Sequence, residues 1–210
     1  IYRFTPAQDA MVGGTSYSVT LTEKLVAVGG EILDTPYRWS FRTIEPQVLE
    51  IKPTRMWLDR WSTLRDSAFA TAFTQPMDRE STQAAFVVEK YIGPFCGDGC
   101  SQDPRDWAPI EGYFSWNIEN TEMTFTPAEL LDYTTPNQGG YRATLGTGAL
   151  NAAQVVSLVQ PITTYFHSVN TPYVTGISPT AEDGIPPGLQ TIEIYFSGPM
   201  NTETYRGRYI

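Results

Sequence analysis

Phe125-Thr126-Pro127, followed by Tyr141-Arg142-Ala143-Thr144-Leu145, carries the pattern on which the fold reading turns. The same tripeptide stands at Phe4-Thr5-Pro6, and the alternating row Tyr17, Val19, Leu21 follows it as Tyr141, Ala143, Leu145 follow the other copy. A third marker repeats as well: Phe73-Thr74-Gln75-Pro76-Met77-Asp78 is echoed by Phe196-Ser197-Gly198-Pro199-Met200-Asn201. The offsets are 121, 124 and 123 residues, so short insertions absorb the drift. A period of that length is a domain and not a solenoid repeat. We therefore divide the 210 residues into one complete unit at 47–169 and two pieces. Residues 1–46 match the second half of a unit and residues 170–210 the first half of another, so a segment of a longer protein is expected.

Strand signals dominate within each unit. Sixteen Pro and 17 Gly punctuate the chain and leave little room for long helices. Tyr17–Leu21 and Tyr37–Phe41 alternate with period two and are rich in β-formers. Ala68–Phe73 and Thr191–Phe196 occupy equivalent places in their units, and Glu122–Phe125 runs into a Pro. Short strands with turn residues every ~8–12 positions indicate an all-β, antiparallel Greek-key sandwich. Residues 146–160 fit a helical apolar spacing weakly, but they correspond to residues 22–36, where Gly29-Gly30 precedes a strand. A loop, with at most a helical turn, followed by a strand is the preferred reading. The joints at Glu45-Pro46 and Ser168–Thr171 are short, which suits a stiff rod.

Twenty-three acidic and 14 basic residues give a net charge of -9, which argues against nucleic acid as a partner. With 41% hydrophobic and 13% aromatic residues, the composition supports a packed core. No apolar run approaches the ~18 residues of a membrane span.

The middle unit has its markers in a specific order. It opens on Val48-Leu49-Glu50-Ile51-Lys52-Pro53, passes Phe73…Asp78 and Glu111-Gly112-Tyr113-Phe114-Ser115-Trp116, then reaches Phe125-Thr126-Pro127, Leu130-Leu131 and Tyr141…Leu145. This order resembles the bacterial Ig-like (Big) domains, whose signature is a Phe-Ser-x-Pro-Met-Asp turn, Thr-Phe-x-Pro before a Leu, then Tyr-x-Val-x-Leu. The resemblance covers 47–168, and half-patterns recur at both ends, including Val174–Pro179. It implies tandem Ig-like sandwiches, one complete and two partial. Such domains are similar to those of large secreted bacterial proteins: alpha-macroglobulin-like proteins, S-layer proteins and surface adhesins. The thioester motif of the alpha-macroglobulin-like family (Cys-x-Glu-Gln) does not occur, and Cys96-Gly97-Asp98-Gly99-Cys100 departs from it outright. No trapping chemistry carries over. In the Pro-Met-Asp turn, Pro76 lacks a ladder N–H, Met77 fills the corner, and Asp78 accepts from backbone N–H groups two or three residues on. A metal on Asp78 and Glu80 is the disfavoured alternative, since two acids fall short of a hard cation's ligand count.

Cys96 and Cys100, the only cysteines, are read as a small disulfide ring in an exported protein. Zinc would need two further ligands, and the lone His167 lies far along the chain. Asp98, Asp103 and Asp106 are weak Ca²⁺ candidates whose spacing does not match an EF-hand loop; a solvated insertion is preferred. Trp39 and Trp116, inside alternating strands, are expected in the core. Trp57, Trp61 and Trp107 are candidates for an interdomain contact or a ligand platform, the contact being favoured. A Ser or Cys nucleophile would need a base, and the lone His167 sits in Tyr165-Phe166-His167-Ser168 at a domain joint, so no catalytic residues and no cofactor are expected.

The expected function is a non-catalytic structural and interaction module of a large exported bacterial protein, extracellular or in the cell envelope. Its expected partners are neighbouring Ig-like domains, with proteins or glycans at the cell surface beyond them. The alternatives are a carbohydrate- or ligand-binding module using Trp57, Trp61 and the 93–107 insertion, or an accessory domain of a secreted enzyme. Self-association through the incomplete ends, 170–210 of one molecule completing 1–46 of another, is a further expectation.

Overall fold

The computed structural model describes residues 3–7, 11–57, 62–96, 100–134, 139–180, 184, 188, 191–198 and 200–201. In chain order its elements are β1 (Ser16–Leu21), β2 (Tyr37–Arg42), β3 (Val48–Pro53), β4 (Ser62–Thr63), β5 (Phe69–Phe73) and helix α1 (Arg79–Ala85). There follow β6 (Phe86–Tyr91), a 3-10 turn (Pro104–Asp106), β7 (Trp107–Pro109), β8 (Gly112–Trp116) and β9 (Glu122–Pro127). The last are β10 (Tyr141–Leu145), β11 (Ile162–Ser168), β12 (Val174–Ser178) and β13 (Glu193–Phe196). The protein is all-β, built from antiparallel sheets.

Two sheets face each other across the main core. One runs β3-β5-β9-β8 and the other β4-β11-β10-β6-β7, antiparallel except for the short parallel pair β4–β11. The chain crosses between the sheets after β3, β4, β5, β7 and β9, the Greek-key order of immunoglobulin-type sandwiches. Period-two alternation decides which side chains enter. Tyr141, Ala143 and Leu145 of β10 are buried while Arg142 and Thr144 between them are not. They meet Ile51, Phe69, Phe73, Met123, Phe125 and Phe166 from the neighbouring strands. Each such apolar side chain contributes about 1.5–3 kcal/mol on full burial. Trp116 packs against this core, its ring 6.0 Å from Phe73, as its strand position implied.

The corner between β9 and β10 is held by a phenol. Asp132 N–H donates to the Tyr141 hydroxyl at 2.8 Å, the tyrosine corner of Ig-type sandwiches. Burial pushes the Tyr141 phenol pKa up, so the group stays neutral. Tyr141→Phe removes the acceptor, and losing a hydrogen bond at this corner is expected to cost about 1–2 kcal/mol. Urea denaturation should show a lower midpoint with an unchanged m-value.

The flanking pieces repeat several of these constructions. Val12 N–H donates to the Tyr17 hydroxyl at 2.6 Å, a second tyrosine corner. In β1–β2 Tyr17 pairs with Phe41 and Leu21 with Tyr37, as Tyr141 pairs with Phe166 and Leu145 with Ile162 in β10–β11. In β3–β5 Val48 pairs with Phe73 ahead of a bulge, and in β12–β13 Val174 pairs with Phe196 ahead of a bulge. The Ser/Thr of the turn motif has a role that sequence reading missed. Gln47 N–H donates to Thr74 Oγ1 and Thr74 N–H to Gln47 O; Tyr173 and Ser197 exchange the same pair.

Two expectations change. Trp39 is not core: it is 42% exposed on β2, because among the described residues β1–β2 is a two-stranded sheet with no second sheet over its apolar face. The turn after Pro76 is a seven-residue helix, α1, with Asp78 as its N-cap. Helix-compatible residues from Arg79 to Ala85 extend the cap that the sequence suggested. Residues 146–160 form turns and isolated bridges before β11, as expected.

Candidate functional site

The chain holds no second copy of residues 88–121, and the insertion between β6 and β7 lies in that stretch. It folds back over the outer face of the β11-β10-β6-β7 sheet. Residues that alternate away from the core form that face: Tyr91, Glu89, Arg142 and Tyr165, the last three in one cross-strand row. Tyr91, Cys96 and Trp107 make a second small core there, with Cys100 packed against it. The Cys96–Cys100 disulfide forms, with Cα atoms 4.5 Å apart. Closing so short a loop contributes about 1–2 kcal/mol.

Trp107 is the centre of this arrangement. Its indole N–H donates to Ser101 O at 3.0 Å, and its ring meets Tyr91 and Tyr165 edge-on at 5.1 and 5.9 Å. The Arg142 guanidinium stands 4.4 Å over the ring and is paired with Glu89 at 2.6 Å. The Tyr91 hydroxyl donates to Pro94 O at 3.0 Å, and Tyr165 donates to Gln102 at 3.0 Å. Gly139, at φ 72°, lies flat against the Tyr91 ring, where a β-carbon would collide. The reading of Trp107 as a ligand or interdomain platform is therefore corrected: at 5% exposure the ring is used up in seating the insertion. Sequence could not find Glu89, Tyr91, Arg142 or Tyr165, because each is an ordinary outward position on its own strand.

The other candidates are dispersed. Asp103 caps the 3-10 turn and binds Arg105 through both oxygens, which holds its carboxyl below the usual range. Asp106 lies in that turn, and Asp98 and Trp61 fall outside the described residues. Among the described residues no three His, Cys, Asp or Glu side chains gather into a metal-binding group. Trp57 is 39% exposed, its backbone N–H donating to Ser62 O at 2.9 Å. Exposed His167 lies on β11 opposite Ser62 of β4. Among the described residues no helix is long and apolar enough to cross a membrane.

The Pro-Met-Asp turn is welded to the loop at 150–156. Met77 is 1% exposed, and Asp78 N–H donates to Leu150 O at 2.9 Å. The Asp78 carboxylate accepts from Gln154 Nε2 at 2.8 Å and Ser81 N–H at 2.9 Å, and these bonds, Gln154 first, hold its pKa below the ordinary 3.8. A depressed folded pKa means stability that is present above pH 3.8 and lost as pH falls through the folded value. Asp78→Ala is expected to cost about 1 kcal/mol at pH 7. Asp78→Asn keeps the cap acceptor but removes the titration, so its stability deficit should narrow on acidification. Urea midpoints at pH 7 and pH 3 check both.

Compared with known proteins, the chain matches no family model and no curated protein sequence. The fold and its loops define the class: an immunoglobulin-type β-sandwich with a disulfide-stapled insertion on the outer face of one sheet.

Proposed function

We propose that this chain is a non-catalytic structural and interaction module, an array of Ig-like spacers from a large exported bacterial protein. The observation that carries the reading is the repetition of one construction: two tyrosine corners, two bulged opening ladders and two Thr/Ser hydroxyl clasps. On this reading the pieces 1–46 and 170–210 belong to neighbouring units. Their exposed apolar faces, Trp39 and Phe41 on β2 and Ile177 and Ile194 on β12–β13, are where partner strands pack. The equivalent faces of the complete sandwich are buried. A disulfide suits an oxidising compartment, hence the cell envelope or exterior. The resemblance to Big domains supports an alpha-macroglobulin-like or cell-surface parent.

A second reading, a carbohydrate- or ligand-binding module, keeps one observation in its favour, the exposed ring of Trp57. A glycan array with Trp57→Ala and Trp61→Ala controls separates the two. The spacer reading expects no specific signal, and binding abolished by either substitution overturns it.

A further inference from the structure

We propose that the Pro-Met-Asp/Asn turn is the docking element of each unit, and that its partner is the corner segment of the preceding unit, just after the Phe-Thr-Pro strand. The inference rests on the tandem-spacer reading and concerns how one spacer is fixed to the next.

At two joints the corner segment of one unit and the turn segment of the next line one cleft. At the first, Val12 and Gly13 line a cleft with Gln75 and Pro76. Gly13 packs on the Gln75 side-chain amide with no room for a β-carbon, and a β-carbon on Gly14 would stand 2.9 Å from a Val156 methyl. Gln75 Nε2 donates to Ile44 O at 3.3 Å, bonding the turn to the end of the preceding hairpin. Val12 is the residue whose N–H the Tyr17 corner holds. At the second joint Tyr133, next to the corner residue Asp132, lines a cleft with Gly198, Met200 and Asn201. Gly198 stands in the motif where Gln75 stands; Met200 and Asn201 stand where Met77 and Asp78 do, which in the complete unit are held by its own core and loop. Val169, also in that cleft, follows Phe166 by the interval at which Ile44 follows Phe41.

Both sides of the first joint are fastened within their own units. The turn is fastened to the 150–156 loop through Asp78–Gln154 and through Ala152 N–H, which donates to Pro76 O at 2.9 Å. The corner is fastened by its tyrosine, and Thr43 Oγ1 donates to Val12 O at 2.5 Å. Preorganised surfaces lose little entropy on docking, so a modest contact suffices. Where equivalent segments line both joints, the rotation from unit to unit repeats, and the array is a rod with a regular twist.

Pulsed electron-spin distance measurements on the full chain, with its disulfide oxidised, test this. Labels at Thr20→Cys and Ser115→Cys span the first joint, and labels at Ser115→Cys and Thr175→Cys span the second. All three sites are exposed strand positions. Narrow distance distributions are expected for the parent chain. Gln75→Ala with Val156→Asp should widen only the first, and Tyr133→Ser with Met200→Asp only the second. Each is expected to widen about twofold, toward the free relative motion of linked domains. Unchanged far-UV dichroism and melting in the variants keep unfolding apart from undocking. A parent distribution as broad as the variants', or variants that stay narrow, overturns the proposal and leaves the spacer reading intact. A ligand captured through Trp57 with narrow parent distributions overturns the spacer reading and leaves the joint intact.

Discussion

Phe69→Ala is expected to remove about 3–5 kcal/mol of stability, the cost of a large cavity at a site that cannot collapse. Phe69 is fully buried at the start of β5, with the Phe166 ring of the opposite sheet 5.2 Å away. It pairs across the ladders with Pro53 on β3 and Phe125 on β9, so rigid backbone flanks it on both sides. Typical total stabilities are about 5–15 kcal/mol, and a loss of this size brings the sandwich close to unfolding at ambient temperature. Urea unfolding followed by tryptophan fluorescence and far-UV dichroism should give coincident curves shifted together to lower midpoints. Phe69→Leu, which preserves more volume, should lose clearly less. Equal losses for Leu and Ala would refute the cavity account.

Trp107→Ala is expected to cost about 3 kcal/mol, the lower end of the range for a buried tryptophan. Its effect should be local. The ring lies outside the main core, on a three-residue edge strand, so the loss is bounded by the free energy of undocking the insertion. Removing the ring deprives Ser101 of its donor and Arg142 of its aromatic partner, a cation–π contact of about 0.5–2 kcal/mol. Hydrogen exchange should rise across residues 92–109 while amides of β3, β5 and β9 keep their protection. Uniform loss of protection through both sheets would show that the second core is not a separate unit.

Much of this architecture was legible in the sequence. The doubled Phe-Thr-Pro and the Tyr-x-Ala-x-Leu row placed β9 and β10 and identified the apolar side of each, since period two is a local property. Cys96 and Cys100 were readable as a pair because nothing else in the chain competes for them. The candidate site was far less legible. Trp107 looked like a free aromatic because the groups that bury it, Tyr91, Arg142 and Tyr165, come from three other strands. Trp39 failed in the opposite direction. Its strand pattern was right, but alternation only says which side of a strand is apolar, and another sheet has to supply the cover.

The sequence by itself determined the repeat, the strand class, the inward residues and the turn chemistry at Asp78, because these depend on backbone geometry and neighbours within a few positions. Only the tertiary structure decided which apolar faces are covered, which tryptophans are exposed, and that Gln75 of the turn bonds to Ile44 at the end of the preceding hairpin. Those outcomes depend on contacts between residues dozens of positions apart, and no local spacing encodes which of two like surfaces will meet.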